Sequence, residues 1–389
     1  MKKIADISFT LNNIQLVQSG SPYFNLLINL ITDATKSIHI QTYIFCDDET
    51  GNLIVNALKI ASRKKVTIHI LVDGYASKGL TNKFIEKLQN ENIHFRFFEP
   101  FFKNSNTYFG RRLHHKMVVV DGKYAVVGGM NIADRYNDLP ESAAWLDYAV
   151  YIEGPISKEL CILCWKTWNG YKRNITITEC NESNNVIKIK DSEKAFCRFR
   201  RNDWVRQKNE ISNTYKAILK NADKQITIMC SYFLPGTIVR KQLQYAIAKG
   251  TRIRLILAGK SDIKIAKAAE RWMYDWLLRR NIEIYEYQPT ILHAKMCVVD
   301  ESFVTVGSYN INNISAYASI ELNIDVKDKV FAQKITMLLD EIIKKDCIKV
   351  TTTLNKKKNN VFKQLYHWAS YKIFRIGFFL FTFYFKQKE

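Results

Sequence analysis

The sequence has no stretch of about 20 consecutive apolar residues, the length that a helix needs to cross the hydrocarbon core of a bilayer. It also shows no signal peptide, because Lys2 and Lys3 are followed by Asp6 where an apolar core would have to begin. We therefore expect neither a transmembrane helix nor a secretory leader, and any association with a membrane would be peripheral.

Cysteines are present, but they lack a pattern. The eight cysteines show no spacing of a disulfide framework, and Cys161 and Cys164 form a C-x-x-C pair inside an apolar, helix-like stretch. A zinc site needs four ligands, and neither a second pair nor an acidic cluster of metal-ligand type follows. The sequence thus predicts free, buried thiols, as in a reducing cytoplasm, and neither a metal nor another cofactor.

Negative charge is in short supply. Asp and Glu number 37 against 58 Lys and Arg, which gives a net charge of +21. Such a charge favours binding to an anionic surface, either lipid or nucleic acid, although surface lysines alone would produce it without any partner. The ordinary apolar content indicates a globular protein, and 389 residues are enough for one large core or two medium ones.

One short pattern is present twice. The first copy comprises His114, Lys116, Asp121 and Gly128-Gly129-Met130-Asn131, and the second comprises His293, Lys295, Asp300 and Gly307-Ser308-Tyr309-Asn310. In each copy, one residue separates the His from the Lys, the Asp lies five positions past the Lys, and the Gly lies seven past the Asp. On a strand the His and Lys side chains would share one face. Two such pairs suit a two-step displacement at a phosphate.

The other histidines lack this context. His115 falls on the opposite face of the predicted strand, so we expect a structural role for it. His39, His69, His94 and His367 have no partner pattern and are expected to be ordinary packed or surface residues.

The duplicated pattern resembles the His-x-Lys-x4-Asp signature of the phospholipase D superfamily, and more narrowly the chain resembles bacterial cardiolipin synthases. The resemblance runs from about Gly20 to about Asp325. It includes the stretches Gln41–Phe45 with Asp47-Asp48, Leu71–Gly74, Val127–Ile132, Ile152–Pro155, Tyr232–Pro235, Gly259–Asp262 and Tyr285–Pro289. Many cardiolipin synthases begin with transmembrane helices, which this sequence does not show.

Each half of the sequence alternates helix and strand in the same order, which predicts two copies of an α/β unit with mixed sheets flanked by helices. We expect a pseudo-twofold axis between them, with the active site at their interface. The expected boundaries are 1–172 for the first phospholipase D-like repeat, 173–193 for a polar linker, 194–346 for the second repeat, and 347–389 for a polar hinge and tail.

Carboxylates complete the motifs. Glu321 lies 28 residues after His293, where the family places an acid beside the catalytic imidazole; it would accept the Nδ1 proton. The same offset in the first half gives Ser142, so Asp147 becomes the counterpart if the loop through Pro140 is longer. The alternative for both acids is a strand-edge carboxylate in water. Asp121 and Asp300 belong to the catalytic signature, but their positions at turns favour a structural role, bonding backbone N–H groups.

The residues after the glycines are expected to bind substrate. Asn131 and Asn310 can donate amide hydrogens to phosphate oxygens, while the small residues Gly129 and Ser308 leave room for the phosphate to approach the backbone. The resemblance implies a phosphohistidine intermediate, with His114 as nucleophile and His293 as acid; the symmetry of the sequence leaves the reverse open.

The implied activity joins phosphatidylglycerol molecules into cardiolipin without a metal. The alternative is a phospholipase D-type phosphodiesterase that hydrolyses phospholipid or nucleic acid, and nucleic acid is the less expected substrate. A membrane-bound adaptor without catalysis is disfavoured because both motifs are intact.

The C-terminal tail is aromatic, with an apolar block from Ile376 to Phe385 among basic residues. This block is too short to span a bilayer. We therefore expect it to be an anchor that lies in the plane of the membrane, on the cytoplasmic face. The alternative is a helix packed on the globular body.

Overall fold

A computed structural model describes residues 9–99, 111–171, 180, 194–358 and 361–386, although it leaves out the side chains of 356–358 and 378–386. By internal contacts the chain divides into two compact units. The first comprises Met1–Arg200, Val306–Ser308 and Leu322–Lys327, and the second comprises Arg201–Thr305, Tyr309–Glu321 and Asp328–Glu389.

The first half of the chain forms a mixed sheet. Its strands are β1 (Thr10–Gln18), β2 (Ser37–Thr42), β3 (Thr67–Asp73), β4 (His94–Phe98), β5 (Arg112–Leu113), β6 (Lys116–Val120), β7 (Tyr124–Gly128), β8 (Tyr148–Glu153) and β9 (Lys194–Asp203). Strands β2, β3 and β4 are parallel, whereas β6, β7, β8, β1 and β9 continue from β2 in antiparallel order. Its helices are α1 (Ser21–Thr32), α2 (Glu49–Arg63), α3 (Asn82–Gln89) and α4 (Pro155–Trp168).

The second half repeats this order. Its strands are β10 (Lys208–Asn209), β11 (Gln225–Cys230), β12 (Arg252–Ala258), β13 (Glu283–Tyr287), β14 (Lys295–Val299), β15 (Phe303–Gly307), β16 (Ser319–Lys327) and β17 (Cys347–Val350). Its helices are α5 (Glu210–Asn221), α6 (Thr237–Ala248), α7 (Lys264–Trp272), α8 (Tyr274–Leu278), α9 (Asn313–Tyr317), α10 (Lys329–Asp346), α11 (Thr352–Lys358) and α12 (Val361–Lys386). Strands β11, β12 and β13 are parallel, and β14 joins β11 antiparallel, as β6 joins β2. The expected pair of α/β repeats is confirmed.

Apolar periodicity explains most of these elements. In α2, Asp48 accepts a hydrogen bond from the Gly51 backbone N–H, and Ile54, Leu58 and Ala61 present one buried face to the sheet. The stretch from Lys264 to Leu278 forms two helices, α7 and α8, which are divided at Met273. The Met273 N–H bonds to the Glu270 carbonyl, three residues back rather than four, so the chain tightens between α7 and α8.

Strand β17 lies beyond residue 346, where the second repeat was expected to end. It pairs antiparallel with β13 and therefore belongs to the same sheet. Helix α11 then occupies part of the stretch predicted as a polar hinge. It is held by the Thr351 hydroxyl, which accepts from the Leu354 N–H, and by Asn355, which donates to Asp275.

Helix α12 packs along α7 through its N-terminal part. His367 and Ser370 are buried there, so the packed-helix alternative holds for this part of the tail, whereas Val361 and Phe362 are 78% and 82% exposed. From residue 378 onward the apolar block Ile376 to Phe385 lies outside the described side chains. Within the described chain, no helix has the length and apolar character that crossing a bilayer requires.

Three of the unassigned histidines form a ladder across the parallel strands. His39 pairs in register with His69, and His69 with His94, with ring centroids 5.4 Å and 4.7 Å apart. Trp165 of α4 covers His39 and His69. Burial, followed by the neighbouring imidazole, lowers the pKa of His39 to about 3 and that of His69 to about 4. His39 and His69 are therefore neutral packing residues at neutral pH, as expected.

The expectation of eight free thiols is wrong. Cys161 of α4 forms a disulfide with Cys180, 19 residues further along the chain, and the other six cysteines are free. The spacing of the cysteines did not indicate this pairing, because it joins α4 to a residue that lies 19 positions further along the chain. The cysteines therefore do not indicate a reducing compartment.

Candidate active site

The two histidine motifs adopt the same local backbone in their separate units. Strand β6 begins at Lys116 and β14 begins at Lys295, so His114 and His293 lie two residues before their strands. The expectation that each His and Lys share a strand is corrected in this detail. Before β6 the chain turns, because the His114 N–H bonds to the Arg112 carbonyl.

Each motif lysine turns back onto its own histidine. Lys116 is 3% exposed and its Nζ donates to the His114 carbonyl at 2.5 Å; Lys295 is 1% exposed and its Nζ donates to the His293 carbonyl. A buried ammonium needs such acceptors, since unpaired burial of a charge is costly. Each unit thus holds one imidazole and one ammonium in a fixed local arrangement.

In the second motif the lysine also reaches the ring, with Lys295 Nζ 2.9 Å from His293 Nδ1. An ammonium only donates, so Nδ1 accepts in this contact and a neutral ring carries its proton on Nε2. The expected contact at this nitrogen was the Glu321 carboxylate. Lys295 reaches this nitrogen because a side chain two residues along can fold back onto the same ring, and the contact with Glu321 stays a prediction.

His115 has the structural role that its position predicted. Its ring is fully buried, with Nε2 2.9 Å from Gln41 Oε1. Gln41 Nε2 in turn donates to the Cys164 carbonyl of α4 at 2.9 Å. These bonds join β2 and α4 to the segment that carries His114, and so they help to hold the His114 imidazole in place.

Asp121 and Asp300 hold matching turns. The Asp121 carboxylate accepts from the backbone N–H groups of residues 35, 36 and 37 at 2.7 to 3.0 Å. Asp300 accepts from the N–H groups of residues 223, 224 and 225, each at 2.8 Å. Both aspartates have left-handed backbone, with φ of 55° and 49°. Each carboxylate therefore ties the end of a motif strand to the start of the neighbouring strand, which is the structural role expected of it.

The hydrogen-bond register supports Asp147 as the counterpart of Glu321. The Gly129 N–H donates to the carbonyl of residue 148, and the Ser308 N–H donates to that of residue 322. Asp147 and Glu321 each come one residue earlier, and both are fully buried. The first loop is five residues longer, since 147 − 129 = 18 and 321 − 308 = 13. Ser142, at the offset of 28, is exposed.

Glycine at position 129 makes room for a carboxylate. A Cβ there would lie 2.5 Å from both carboxylate oxygens of Asp147. The Asp147 carboxylate therefore fills the space on the Cβ side of Gly129, and the approach of a substrate phosphate to this backbone stays a prediction. In the second motif the Ser308 hydroxyl accepts from the Leu322 N–H at 3.1 Å.

The motif asparagines are oriented by their amide oxygens. Asn131 Oδ1 accepts from the Ile44 N–H, and its Nδ2 donates to the Tyr136 hydroxyl. Asn310 Oδ1 accepts from the Ser231 hydroxyl at 2.9 Å. One amide hydrogen of Asn131 is thus engaged within the protein, whereas Asn310 is held through its amide oxygen.

Two supporting residues were missed as site residues. The Tyr43 ring lies 4.8 Å from the His114 ring and 5.1 Å from Lys116 Nζ, while the Ser231 hydroxyl donates to both the His293 carbonyl and Asn310. Each is the first residue after its strand, β2 or β11. That shared position was the available signal, since loops at the carboxyl ends of parallel strands carry ligand-binding groups.

Comparison with known proteins agrees with this geometry. The family model described as "Cardiolipin synthase, PLD-like domain" matches twice, at residues 27–157 and 215–343, together more than half of the chain. Cardiolipin synthase B of Shigella flexneri is 28% identical over 361 residues, covering 89% of this chain and 84% of that protein. Cardiolipin synthase of Clostridium perfringens is 29% identical over 363 residues, covering 90% and 74%.

The crystal structure of phosphatidylserine synthase from Haemophilus influenzae has the same fold. Its TM-score is 0.69 at 14% identity, and the match covers 94% of this chain and 93% of that one. Two α/β repeats, each with a His-x-Lys pair, thus define a protein of the phospholipase D fold. Within that class, the chain belongs to the cardiolipin synthase family with the phospholipase D-like domain.

Proposed function

We propose that the protein is a phosphatidyltransferase that joins two phosphatidylglycerol molecules into cardiolipin and releases glycerol. The observation that carries this proposal is the duplicated arrangement in which a buried lysine folds back onto its own motif histidine. Relatives named cardiolipin synthase over most of the chain support the substrate class.

The first step is nucleophilic displacement at phosphorus. His114 Nε2 attacks the phosphodiester, the bond from phosphorus to the glycerol oxygen breaks, and protonated His293 gives that oxygen its proton. The product is a phosphatidyl-histidine and free glycerol. His293 is then neutral and able to act as a base in the second step.

The second step reverses the proton transfer. The hydroxyl of an incoming phosphatidylglycerol loses its proton to His293 and attacks phosphorus, and the bond from phosphorus to His114 breaks. Cardiolipin forms, and both histidines return to their starting states. Water in place of the alcohol would give phosphatidic acid, which is the hydrolytic alternative.

The surrounding side chains stabilise charge during both steps. Lys116, Lys295 and the amides of Asn131 and Asn310 face the non-bridging oxygens. Phosphate binding draws the Lys295 ammonium away from His293 Nδ1, which leaves that nitrogen free to hold the proton that Glu321 accepts in a hydrogen bond. Asp147 does the same for His114 in the first motif.

One reaction cycle uses both motifs, because one histidine holds the phosphatidyl group while the other transfers the proton. The proposed enzyme acts peripherally at the cytoplasmic face of the cell membrane. The net charge of +21 supports attraction to anionic lipid there.

Phosphatidylglycerol vesicles provide the test. Mass analysis of the products should find cardiolipin together with glycerol. Phosphatidic acid without cardiolipin would show that the enzyme hydrolyses the lipid and does not transfer the phosphatidyl group. His114→Ala and His293→Ala should each abolish turnover. The matched control is His94→Ala, which removes an exposed histidine of the same unit as His114. Near-full activity in either motif variant would refute the paired site.

A chemical trap assigns the nucleophile. With His293→Ala and a p-nitrophenyl phosphatidyl ester, whose leaving group needs no acid, the first step can proceed while the second lacks its base. Protein quenched in alkaline denaturant, in which phosphohistidine is stable, should then carry a phosphatidyl group on the peptide that contains His114. A modified His293 in the His114→Ala protein would reverse the two roles.

A further inference from the structure

A cavity of about 530 Å³ opens in the second unit, between α5, α6 and α9. This volume lies in the usual range of small-molecule sites. Every residue that lines it belongs to the second unit, so the cavity is a property of that unit alone.

The walls of the cavity are largely apolar. The Tyr215 and Tyr309 rings stack with centroids 5.6 Å apart, and Val239, Ile311 and Ala316 complete the apolar surface. At the mouth, Ile238 and Tyr317 are 48% and 42% exposed although they line the cavity. An apolar chain could therefore enter from an apolar phase without crossing a polar rim.

The polar side chains of the cavity suit an anionic, oxygen-rich head group. They include Lys216 together with the amides of Asn312 and Asn313, and the described lining contains no Asp or Glu. A phosphate or glycerol group near the mouth would thus meet a cation and amide donors rather than like charge.

The cavity adjoins the second histidine motif. Two of its lining residues, Tyr309 and Ile311, flank Asn310, whose side chain bonds to Ser231. Ser231 also donates to the His293 carbonyl, so Ser231 connects Asn310 to the segment that carries His293. The cavity and the second motif therefore share the segment from Tyr309 to Ile311.

From these features we infer that the cavity binds an acyl chain of a glycerophospholipid whose phosphodiester reacts at the His293 motif. The inference rests on the proposed function and deepens it by assigning the lipid chain to a place in the fold. Burial of methylenes among Tyr215, Tyr309 and Val239 holds the acyl chain, and Lys216 binds the glycerol and ester oxygens at the end of that chain.

Photo-crosslinking tests the site without relying on turnover. Phosphatidylglycerol with a diazirine in the middle of one acyl chain is irradiated with the full-length protein in mixed micelles. Labels are expected on the peptides spanning 237–248 and 309–317, and non-reactive long-chain phosphatidylglycerol should displace them. Labels confined to other peptides overturn the inference, as does displacement by a single-stranded oligonucleotide but not by the lipid.

Two substitutions fill the cavity from different walls, Val239→Trp on α6 and Ala316→Phe on α9. Each should remove the labels and lower the preference for dioleoyl over dihexanoyl phosphatidylglycerol, measured as a ratio of kcat/KM, by about tenfold or more. Lys241→Trp is the matched control, since it adds the same side chain to an exposed position of α6 that does not line the cavity.

Circular dichroism establishes which variants are folded. If one cavity-filling variant does not fold, the variant on the other wall provides the test. An unchanged chain-length preference in a folded cavity-filling variant overturns the inference. A different result would refute the proposed function alone. The lipid would label the cavity of the wild-type protein, but the protein would produce neither cardiolipin nor phosphatidic acid, and the lipid site would still be supported.

Discussion

Removal of the Asp300 carboxylate should destabilise the protein without removing catalysis. Its oxygens accept three backbone N–H bonds of 2.8 Å, two of them exposed and one part-buried. A hydrogen bond to a charged group contributes about 1.5 to 3 kcal/mol, and exposure favours the low end of that range. We expect Asp300→Ala to cost about 4.5 kcal/mol, because three bonds of about 1.5 kcal/mol each are lost. Asp300→Asn, which keeps the Oδ1 acceptor of two of these bonds, should cost about 1 kcal/mol.

Urea unfolding followed by circular dichroism measures these losses. Glu301→Ala is the matched control, because Glu301 lies in the same turn with φ also 49° and is exposed. Its cost should stay within about 0.5 kcal/mol. Activity is then measured per folded protein, well below the unfolding transition. Full stability of Asp300→Asn together with lost activity would refute the structural role and make this carboxylate part of the chemistry.

Four further outcomes are expected. A strong chelator should leave activity unchanged, since Lys and Asn stabilise the phosphate in the proposed mechanism; loss restored by a divalent ion would overturn that mechanism. The pKa values of His39 and His69 are lowered to about 3 and about 4, below the unfolded value of about 6.5, so the unfolded state binds the protons and stability should fall as pH drops from about 6.5 toward 4. His39→Phe should flatten the dependence of the urea midpoint on pH in that range, and an unchanged slope would contradict the low pKa. Truncation after Gly377 keeps the buried part of α12 and should weaken sedimentation with anionic vesicles while the fold survives; unchanged sedimentation would rule out the membrane anchor. Alkylation of the denatured, unreduced protein should label six cysteines, the number left free by the Cys161–Cys180 disulfide, whereas eight labels would show that the bond does not form.

The sequence alone determined the repeat and the chemistry of the motifs. A spacing of two between His and Lys, with Asp five residues further on, keeps all these residues within one short strand and the residues that flank it. Contacts over two residues follow from local geometry, which is why the lysines meet their histidines. The alternation of helix and strand could be predicted for the same reason, since an element with one buried face has its apolar residues at a fixed spacing along the sequence.

The tertiary structure decided the contacts between residues that are distant in sequence. Asp147 was fixed as the counterpart of Glu321 by the pairing of strand ends across a loop five residues longer, since 147 − 129 = 18 and 321 − 308 = 13. Tyr43 and Ser231 reach the motifs because β2 and β11 lie beside the motif strands. The disulfide and the acyl-chain cavity depend in the same way on packing. These contacts join segments that are far apart along the chain, and no periodic pattern in the sequence indicates that they meet. Only the folded structure brings them together.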